Sequence, residues 1–199
     1  GRALVWSRSD RPSRLLVDWS TTESMRDTKR VIGSHAIEAT DLTARLDLRD
    51  LPPNQKIFYR VWFESLADGK TLSEPVIGHF RSAPERSGNI RFLWSGDTAG
   101  QGYGVNPDWG GMRIYESMRK READFFLHSG DTIYADQPIP AEVKAGDGTL
   151  WKNIAVEAKS KPAESLDDFR GNYLYNLTDA NLVRFNTETP QIWQWDDHE

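Results

Sequence analysis

Three segments of the sequence share one arrangement, in which a short apolar run ends at a carboxylate. They are residues 90–94 before Ser95-Gly96-Asp97, residues 125–127 before His128-Ser129-Gly130-Asp131, and residues 192–195 before Asp196-Asp197-His198-Glu199. Each run has the length and composition of a buried β-strand, and open α/β sheets build their sites at the carboxyl ends of such strands. Carboxylates that converge there repel one another unless a cation lies between them. The pattern therefore predicts a site for hard metal ions, which prefer oxygen ligands.

The strength of this prediction comes from the combination, since each residue alone is weak evidence. An Asp after a strand is most often a turn or capping residue, and a His beside acids is often only a surface residue. The Gly-Asp pair, however, occurs at Asp97 and again at Asp131, and an Asp-Asp-His-Glu block follows a third apolar run. The second loop also exposes Tyr134 and Asp136. Such a combination is difficult to obtain by chance.

A strand-helix-strand unit is predicted to position the first two carboxylates. The strand at 90–94 is followed by a glycine-rich loop over residues 98–104, by a helix over about 110–121 and by the strand at 125–127. Such a unit implies parallel strands. The spacing of the glycines does not match a nucleotide-binding loop, so we expect them to let the backbone pass close to a metal ion or a ligand.

The segment between the second and third loops contains an insert and two short helices. Residues 137–164 are too polar to be core, and they are predicted to form either a lid or substrate-side loop or a plain surface excursion. Ser165 and Asp168 have the spacing of a helix-start box. Leu182 and Phe185 indicate a second helix before the last strand.

The first part of the chain has the pattern of an all-β domain. Residues 1–84 contain short alternating runs separated by turn residues, such as the alternation of Ile57, Val61 and Phe63. Six or seven strands at roughly ten-residue spacing predict a β-sandwich of immunoglobulin or fibronectin type. Residues 85–88 are the predicted linker. We expect this domain to support the catalytic one, with binding of a sugar or of a partner as the alternative.

Composition excludes several classes of protein. The chain of 199 residues has a net charge of −5 and no basic block, which argues against nucleic-acid binding. It has no cysteine, so disulfides, thiolate nucleophiles and cysteine-bound zinc are excluded. No apolar run approaches the about 18 residues of a membrane span, and no signal peptide is visible. Because the chain begins close to a strand and ends inside a motif, we expect it to have been cut from a longer protein.

The motifs resemble those of the calcineurin-like metallophosphatases and, among these, the alkaline phosphatase D (PhoD-like) family. The matching segments are Ser95-Gly96-Asp97, Gly100-Gln101-Gly102, residues 128–136 and Trp195-Asp196-Asp197-His198-Glu199. The family's N-terminal fibronectin-like domain corresponds to residues 1–84. The resemblance implies that residues 89–199 are the first part of an α/β metallophosphatase sandwich, truncated at its C-terminus. It also implies an alkaline phosphatase or phosphodiesterase that hydrolyses phosphate mono- or diesters through a metal-bound hydroxide.

The resemblance also assigns roles to individual residues. Asp97 would bind one metal ion, Asp131 would bridge two, and Tyr134 would bind a ferric-type ion as phenolate. Asp197 would take the place of the superfamily's Asn ligand, and His198 would stabilise the transition state or protonate the leaving group. His198 and Asp131 are thus the implied catalytic residues. Two or more metal ions are implied, with Ca²⁺, Fe³⁺ or both expected and Zn²⁺ or Mn²⁺ as alternatives.

Several further expectations depend on the same resemblance. Family members are usually exported, which implies an extracytoplasmic or secreted protein. They bring additional His ligands from later strands, so the remainder of the catalytic domain is an expected partner, and residues 1–199 alone are expected to be poorly active. Two alternatives stay open. One is a relative of the purple acid phosphatases, which would carry Gly-Asn-His-Glu in the last block, and the other is a non-catalytic extracellular binding module with structural Ca²⁺.

Overall fold

The chain divides into two compact units. The computed structural model describes residues 1–199, and the units are residues 1–89 and residues 90–199. Most of the regular structure is β-sheet, with few helices. The domain limits expected from the sequence, 1–84 and 89–199 with a linker between them, stay a prediction. No helix combines the length and the apolar character that crossing a membrane requires.

The first unit contains six strands in two antiparallel sheets. The strands are β1 (Ala3–Arg8), β2 (Ser13–Ser20), β3 (Lys29–Ala36), β4 (Thr43–Leu48), β5 (Lys56–Ser65) and β6 (Val76–Arg81). Strands β1 and β4 pair with each other, and the other four form a sheet in the order β3-β2-β5-β6. Both sheets contribute to one apolar core, which includes Val5, Leu15, Leu48 and Ile57. A sandwich of immunoglobulin or fibronectin type stays a prediction for this unit.

The second unit mixes strands and helices. Its elements are β7 (Phe92–Ser95), α1 (Arg113–Arg119), β8 (Phe125–Ser129), β9 (Glu142–Lys144), β10 (Leu150–Lys152), α2 (Leu166–Asn176), α3 (Ala180–Glu188) and β11 (Gln191–Gln194). Strands β7, β8 and β11 form a parallel sheet with β8 in the middle. Ser95 at the end of β7 is level with His128, and Gln194 at the end of β11 is level with Ser129. The three strands therefore end at the same edge, and the loops that follow them emerge side by side.

The sequence predicted that all three strands would be buried, and this is wrong for β7 and β11. Trp94 of β7 is 69% exposed, and Phe92 and Ile192 are exposed as well. Successive side chains of a strand point to opposite faces of the sheet. One face packs through Phe126 against α1 and α3. Trp94, Leu127 and Ile192 lie at paired positions on the other face, where side chains of both outer strands remain open to solvent.

Helix α1 is shorter than the helix predicted over about 110–121. Gly110 and Gly111, with φ values of 80° and 69°, have the left-handed conformation that no α-helix contains. A short 3-10 helix, Pro107–Trp109, precedes them. The helical pattern therefore begins only at Arg113, after this turn has reversed the chain direction.

Helix α2 begins at the predicted helix-start box, and helix α3 contains the two residues that indicated a second helix. The Asp168 amide donates to Ser165 Oγ at 3.2 Å, and the Ser165 amide donates to Asp168 Oδ2 at 3.0 Å. This is the predicted helix-start box, in which each side chain satisfies the other residue's backbone. Leu182 and Phe185 are the buried residues of α3, so the second predicted helix is confirmed as well.

The insert over residues 137–164 is partly buried, contrary to the prediction that it lies outside the core. It contains a hairpin of β9 and β10 and a 3-10 helix, Glu157–Lys159. Ile139 is buried in a small apolar cluster with Val105 and Tyr175. A few apolar side chains are sufficient to fix a polar segment, which is why its average composition was misleading.

Candidate metal centre

The loops after β7 and β8 are hydrogen-bonded to each other beyond the ends of the strands. The Asp97 amide donates to the Gly130 carbonyl at 3.1 Å, and the Thr98 amide donates to the Asp131 carbonyl at 2.8 Å. These bonds continue the parallel pairing past the edge of the sheet. They fix the backbones of Asp97 and Asp131 relative to each other.

Both aspartates have a left-handed backbone conformation. The φ value is 56° at Asp97 and 53° at Asp131, which is uncommon for residues other than glycine and tends to occur at functional sites. Gly130 between the strand and Asp131 has a φ of 100°, and a Cβ atom there would overlap Asp196. The turn after β8 therefore needs glycine, and its absent side chain lets the third loop approach the second.

Asp131, Asp197 and His198 form a cluster that can bind a cation. One metal-binding atom from each side chain lies within 4.8 Å of the other two. Asp131 is only 7% exposed, and its Oδ1 atom is buried without a hydrogen-bond partner. A buried carboxylate oxygen without a partner is costly. This atom therefore fits a metal ligand, because a cation would satisfy it.

Asp97 and Tyr134 belong to the same electrostatic environment. Burial raises the pKa of Asp131, and Asp97 raises it further while His198 opposes the rise. Burial raises the pKa of Tyr134 to about 12, and the carboxylates of Asp97, Asp131 and Asp197 add to that effect. Three carboxylates thus act on one phenol. A bound cation would reverse these directions, since it stabilises the negative form of each group.

Three of the five predicted site residues, Asp131, Asp197 and His198, form the cluster. The other two, Asp97 and Tyr134, interact electrostatically with Asp131. Carboxylate oxygens suit hard ions such as Ca²⁺ and Mn²⁺, and imidazole adds affinity for transition metals. The donor set and the unpaired oxygen of Asp131 therefore fit the metal ions that the sequence predicted.

His198 is held by a carboxylate to which the sequence analysis gave no role. Its Nδ1 atom lies 2.8 Å from Asp136 Oδ1, and its ring centroid lies 4.4 Å from that of Tyr134. The hydrogen bond to Asp136 raises the pKa of His198, and the charges of Asp197 and Asp131 act in the same direction. The feature of the sequence that could have indicated this role for Asp136 is its position at the end of the second loop.

Glu199 joins the second and third loops through its carboxylate. Its Oε1 atom accepts a hydrogen bond from the Thr132 amide at 2.6 Å. Its Oε2 atom accepts from the Asp131 amide at 3.3 Å and from the Asp196 amide at 2.9 Å. Because both oxygens of its carboxylate accept hydrogen bonds from backbone amides, Glu199 fixes Asp131 relative to the loop after β11. Sequence spacing alone gave no indication of these partners.

Two glycines of the loop after β7 allow tyrosine side chains to contact the backbone. A Cβ atom at Gly100 would overlap the ring of Tyr134, and one at Gly104 would overlap the hydroxyl of Tyr175. That hydroxyl accepts a hydrogen bond from the Val105 amide at 3.0 Å. The sequence predicted that these glycines approach a metal ion or a ligand. That stays a prediction, and of the two tyrosines that Gly100 and Gly104 contact, Tyr134 belongs to the candidate centre.

A buried hydrogen-bonded chain fixes Thr98 behind the loops. Its hydroxyl lies 2.9 Å from the Tyr115 hydroxyl and 2.9 Å from His128 Nε2. Burial lowers the pKa of His128, and its ring packs edge-on against Phe126 in the core. His128 therefore supports the first loop from the covered face of the sheet and is not a member of the cluster.

Lys159, a residue of the insert, donates a hydrogen bond to the backbone of the second loop. Lys159 is 2% exposed, and its Nζ atom donates to the Tyr134 carbonyl at 2.7 Å and to Asn172 Oδ1 at 2.7 Å. Burial lowers the pKa of Lys159 to about 8, and the charge of Asp136 opposes the shift. The sequence does not indicate this role of Lys159, because nothing in a polar insert distinguishes a buried lysine from an exposed one.

Sequence comparison with known families gives two matches that together cover most of the chain. The PhoD-like phosphatase family matches residues 92–199, and the N-terminal domain of PhoD-like phosphatases matches residues 1–84. No curated protein matches the chain.

Solved structures are similar to the chain in fold. The structure of PhoD has a TM-score of 0.74 at 20% identity, over 98% of this chain and 36% of its own. The purple acid phosphatase PPD1 from yellow lupin (Lupinus luteus) seeds has a TM-score of 0.62 at 13% identity, over 100% of this chain and 33% of its own. At these identities the likeness concerns the fold alone. The chain spans about a third of the length of either protein.

Proposed function

The chain belongs to the PhoD-like phosphatase family, and we propose that it provides part of the active site of a metal-dependent enzyme that hydrolyses phosphate mono- or diesters. The observation that carries this proposal is the cluster of Asp131, Asp197 and His198, whose binding atoms lie within 4.8 Å of one another. The unpaired oxygen of Asp131 lies in the same cluster. A buried carboxylate that converges with an exposed one beside an imidazole favours a bound cation over a purely structural arrangement.

In this proposal four side chains bind two or more metal ions. Asp97, Asp131, Tyr134 and Asp197 would hold the ions, with Asp131 as the proposed shared ligand. Ca²⁺, Fe³⁺ or both are proposed, with Zn²⁺ or Mn²⁺ as alternatives. Bound cations supply charge neutralisation on the phosphate oxygens and lower the pKa of a water molecule. The chain's own contribution is to hold the oxygen ligands together at the edge of the sheet.

We propose that His198 donates a proton to the oxygen of the leaving group. Its Nδ1 atom faces Asp136, so Nε2 is the ring nitrogen left for the substrate. Because Asp136 raises the pKa of His198, the imidazolium form persists to higher pH and can act as a general acid. The face of Tyr134, 4.4 Å away between ring centroids, restricts the orientation of the imidazole.

A purple-acid-phosphatase-like enzyme is the second candidate. The fold likeness to the lupin enzyme supports it, but the chain has Asp196-Asp197-His198-Glu199 where Gly-Asn-His-Glu would be expected. We also propose an extracytoplasmic location, which the usual export of family members supports.

Replacement of Asp131 by Asn in the full-length, metal-loaded protein tests the proposal. The variant removes one negative charge and a bridging ligand without changing the size of the side chain, so hydrolysis of p-nitrophenyl phosphate and of its diester is expected to fall at least about a hundredfold. Elemental analysis is expected to show less bound metal. Asp10→Asn is the control, because Asp10 is an exposed aspartate of the other unit. Unchanged hydrolysis in Asp131→Asn would refute the proposal. Carbohydrate binding that persists in Asp131→Asn, without hydrolysis by either form, would favour a non-catalytic binding module with structural Ca²⁺.

A further inference from the structure

Three aromatic side chains of the second unit form a cluster on its surface, which we call the aromatic patch. It consists of Tyr103, Trp109 and Trp151. The ring centroids of Tyr103 and Trp151 are 6.0 Å apart at an interplanar angle of 73°, and those of Trp109 and Trp151 are 5.5 Å apart at 42°. Trp151 therefore contacts both of the other rings.

Hydrogen bonds to the backbone fix the aromatic patch, whose residues come from three separate segments. Tyr103 belongs to the glycine-rich loop after β7, Trp109 to the short 3-10 helix before α1, and Trp151 to β10. Trp151 Nε1 donates to the Gly104 carbonyl at 3.3 Å. Asn153 Oδ1 accepts a hydrogen bond from the Gly104 amide at 2.7 Å. The loop and the hairpin are thus joined directly beneath the rings, which keeps the patch preorganised.

The rings remain open to solvent despite this support. Trp109 is 53% exposed and Tyr103 is 39% exposed. Adjacent aromatic rings that the backbone holds at the surface are typical of ligand-binding sites. Lys152 and Asp108, whose charged groups are 3.9 Å apart, are the sequence neighbours of Trp151 and Trp109. This exposed ion pair links the two segments that carry Trp109 and Trp151.

The aromatic patch is close to the candidate metal centre. Gly100 contacts the ring of Tyr134, since a Cβ atom there would overlap it. Tyr103 is three residues further along, so its Cα atom is at most about 11 Å from that of Gly100. The Gln101 amide also donates to Gln137 Oε1 at 2.9 Å, which ties this loop to the chain just beyond Tyr134. The organic group of an ester bound at the metal centre would have to span a distance of this order to contact the patch.

We propose that the aromatic patch binds a planar aromatic group on the alcohol side of the phosphate ester, with a nucleobase as the best-suited chemistry. This inference rests on the proposed function. Aromatic groups stack on Trp and Tyr faces with useful affinity, and bases do so with little dependence on their identity. An aliphatic alcohol offers no face to stack.

The test compares esters with and without an aromatic group, in the full-length metal-loaded protein. The probes are adenosine monophosphate and glycerol phosphate, together with a matched pair of diesters. The variants are Trp109→Ala and Tyr103→Ala, with Tyr103→Phe as the conservative replacement that keeps the ring. Trp6→Ala is the control, because Trp6 is an exposed tryptophan of the other unit. Thermal unfolding of each variant monitors folding.

We expect each alanine variant to raise the KM for the aromatic ester roughly tenfold, as the loss of one stacking partner predicts. The KM for glycerol phosphate and the kcat for both substrates are expected to stay within about twofold. Tyr103→Phe should restore the KM, and Trp6→Ala should change nothing. Equal losses on both esters would indicate a structural role and overturn the inference, as would unchanged KM values.

Binding of adenosine alone separates this inference from the proposed function. Adenosine carries no phosphate, so its binding does not require the metal centre. Calorimetric binding that is lost in Trp109→Ala supports the aromatic patch even if the protein hydrolyses neither ester, in which case only the proposed function fails. Absence of adenosine binding, or equal binding of ribose, would overturn the inference while leaving the hydrolysis assay to decide the function.

Discussion

At the scale of single residues, the pair of His198 and Asp136 makes a prediction about pH. Asp136 raises the pKa of His198 through its hydrogen bond and its charge. The imidazolium form is present at low pH and is lost as the pH rises through this raised pKa. Asp136→Asn keeps a hydrogen-bond acceptor but removes the charge that raises the pKa of His198. In this variant the imidazolium form of His198 is therefore lost at a lower pH. We therefore expect the alkaline limb of the activity–pH curve of the full-length protein to move to lower pH.

The comparison for Asp136 is an aspartate that does not contact the centre. Asp167→Asn removes an exposed carboxylate that pairs with Arg170 on α2 and should leave the curve in place. An alkaline limb that stays fixed in Asp136→Asn would mean that His198 is not the group whose protonation limits the reaction.

Gly100 gives a second prediction at this scale, concerning the space in front of Tyr134. A Cβ atom at Gly100 would overlap the Tyr134 ring, so Gly100→Ala should displace the proposed phenol ligand. We expect a loss of stability of about 1–3 kcal/mol and a lower metal content, measured by thermal unfolding and elemental analysis. Gly146→Ala is a matched control, because a Cβ atom there would meet nothing within 4 Å. If both variants keep their metal, the Gly100 contact does not position Tyr134.

At the scale of elements, the sequence predicted which segments form strands and helices. It did not predict which residues from other segments contact them. The runs before Asp97 and Asp131 predicted two strands with glycine turns, because alternation and turn residues are local signals. The partners of Asp136 and Glu199 were not predictable, since they depend on how the loops meet. The burial of Lys159 was missed for the same reason.

Lys159 allows the role of the insert to be tested. Lys159→Met keeps most of the volume but leaves the Tyr134 carbonyl and Asn172 Oδ1 without their shared donor. A buried acceptor left unpaired costs about 1–3 kcal/mol. Because the pKa of Lys159 is lowered to about 8, the amine is largely protonated at neutral pH and the loss should be visible there. Denaturant unfolding at neutral pH measures it.

The control for Lys159 comes from the same insert. Lys144→Met replaces an exposed lysine of β9 and should alter stability by less than about 0.5 kcal/mol. If Lys159→Met is as stable as Lys144→Met, the insert does not hold the Tyr134 loop, and its hydrogen bonds there are incidental to the stability of the centre.

At the scale of the whole molecule, the parallel order of the second sheet followed from a local strand-helix-strand pattern, whereas the environment of its outer strands did not. Trp94 was expected to be buried because apolar runs in α/β proteins usually are, yet it is 69% exposed. A run of apolar residues indicates which side chains are buried in the complete fold. It does not record which element covers them, and residues 90–199 provide helices for one face only.

The number of ligands leads to the last prediction, which concerns residues 1–199 expressed alone. The proposed ligands of this chain are four side chains, Asp97, Asp131, Tyr134 and Asp197, while two hard cations take about six or more ligands each. The isolated chain should therefore bind metal weakly and hydrolyse p-nitrophenyl phosphate much more slowly than the full-length protein, even with metal added. Side-by-side assays with elemental analysis measure both properties. Rapid hydrolysis by residues 1–199 that depends on Asp131 would show that these side chains suffice, and that solvent can complete the coordination of the ions.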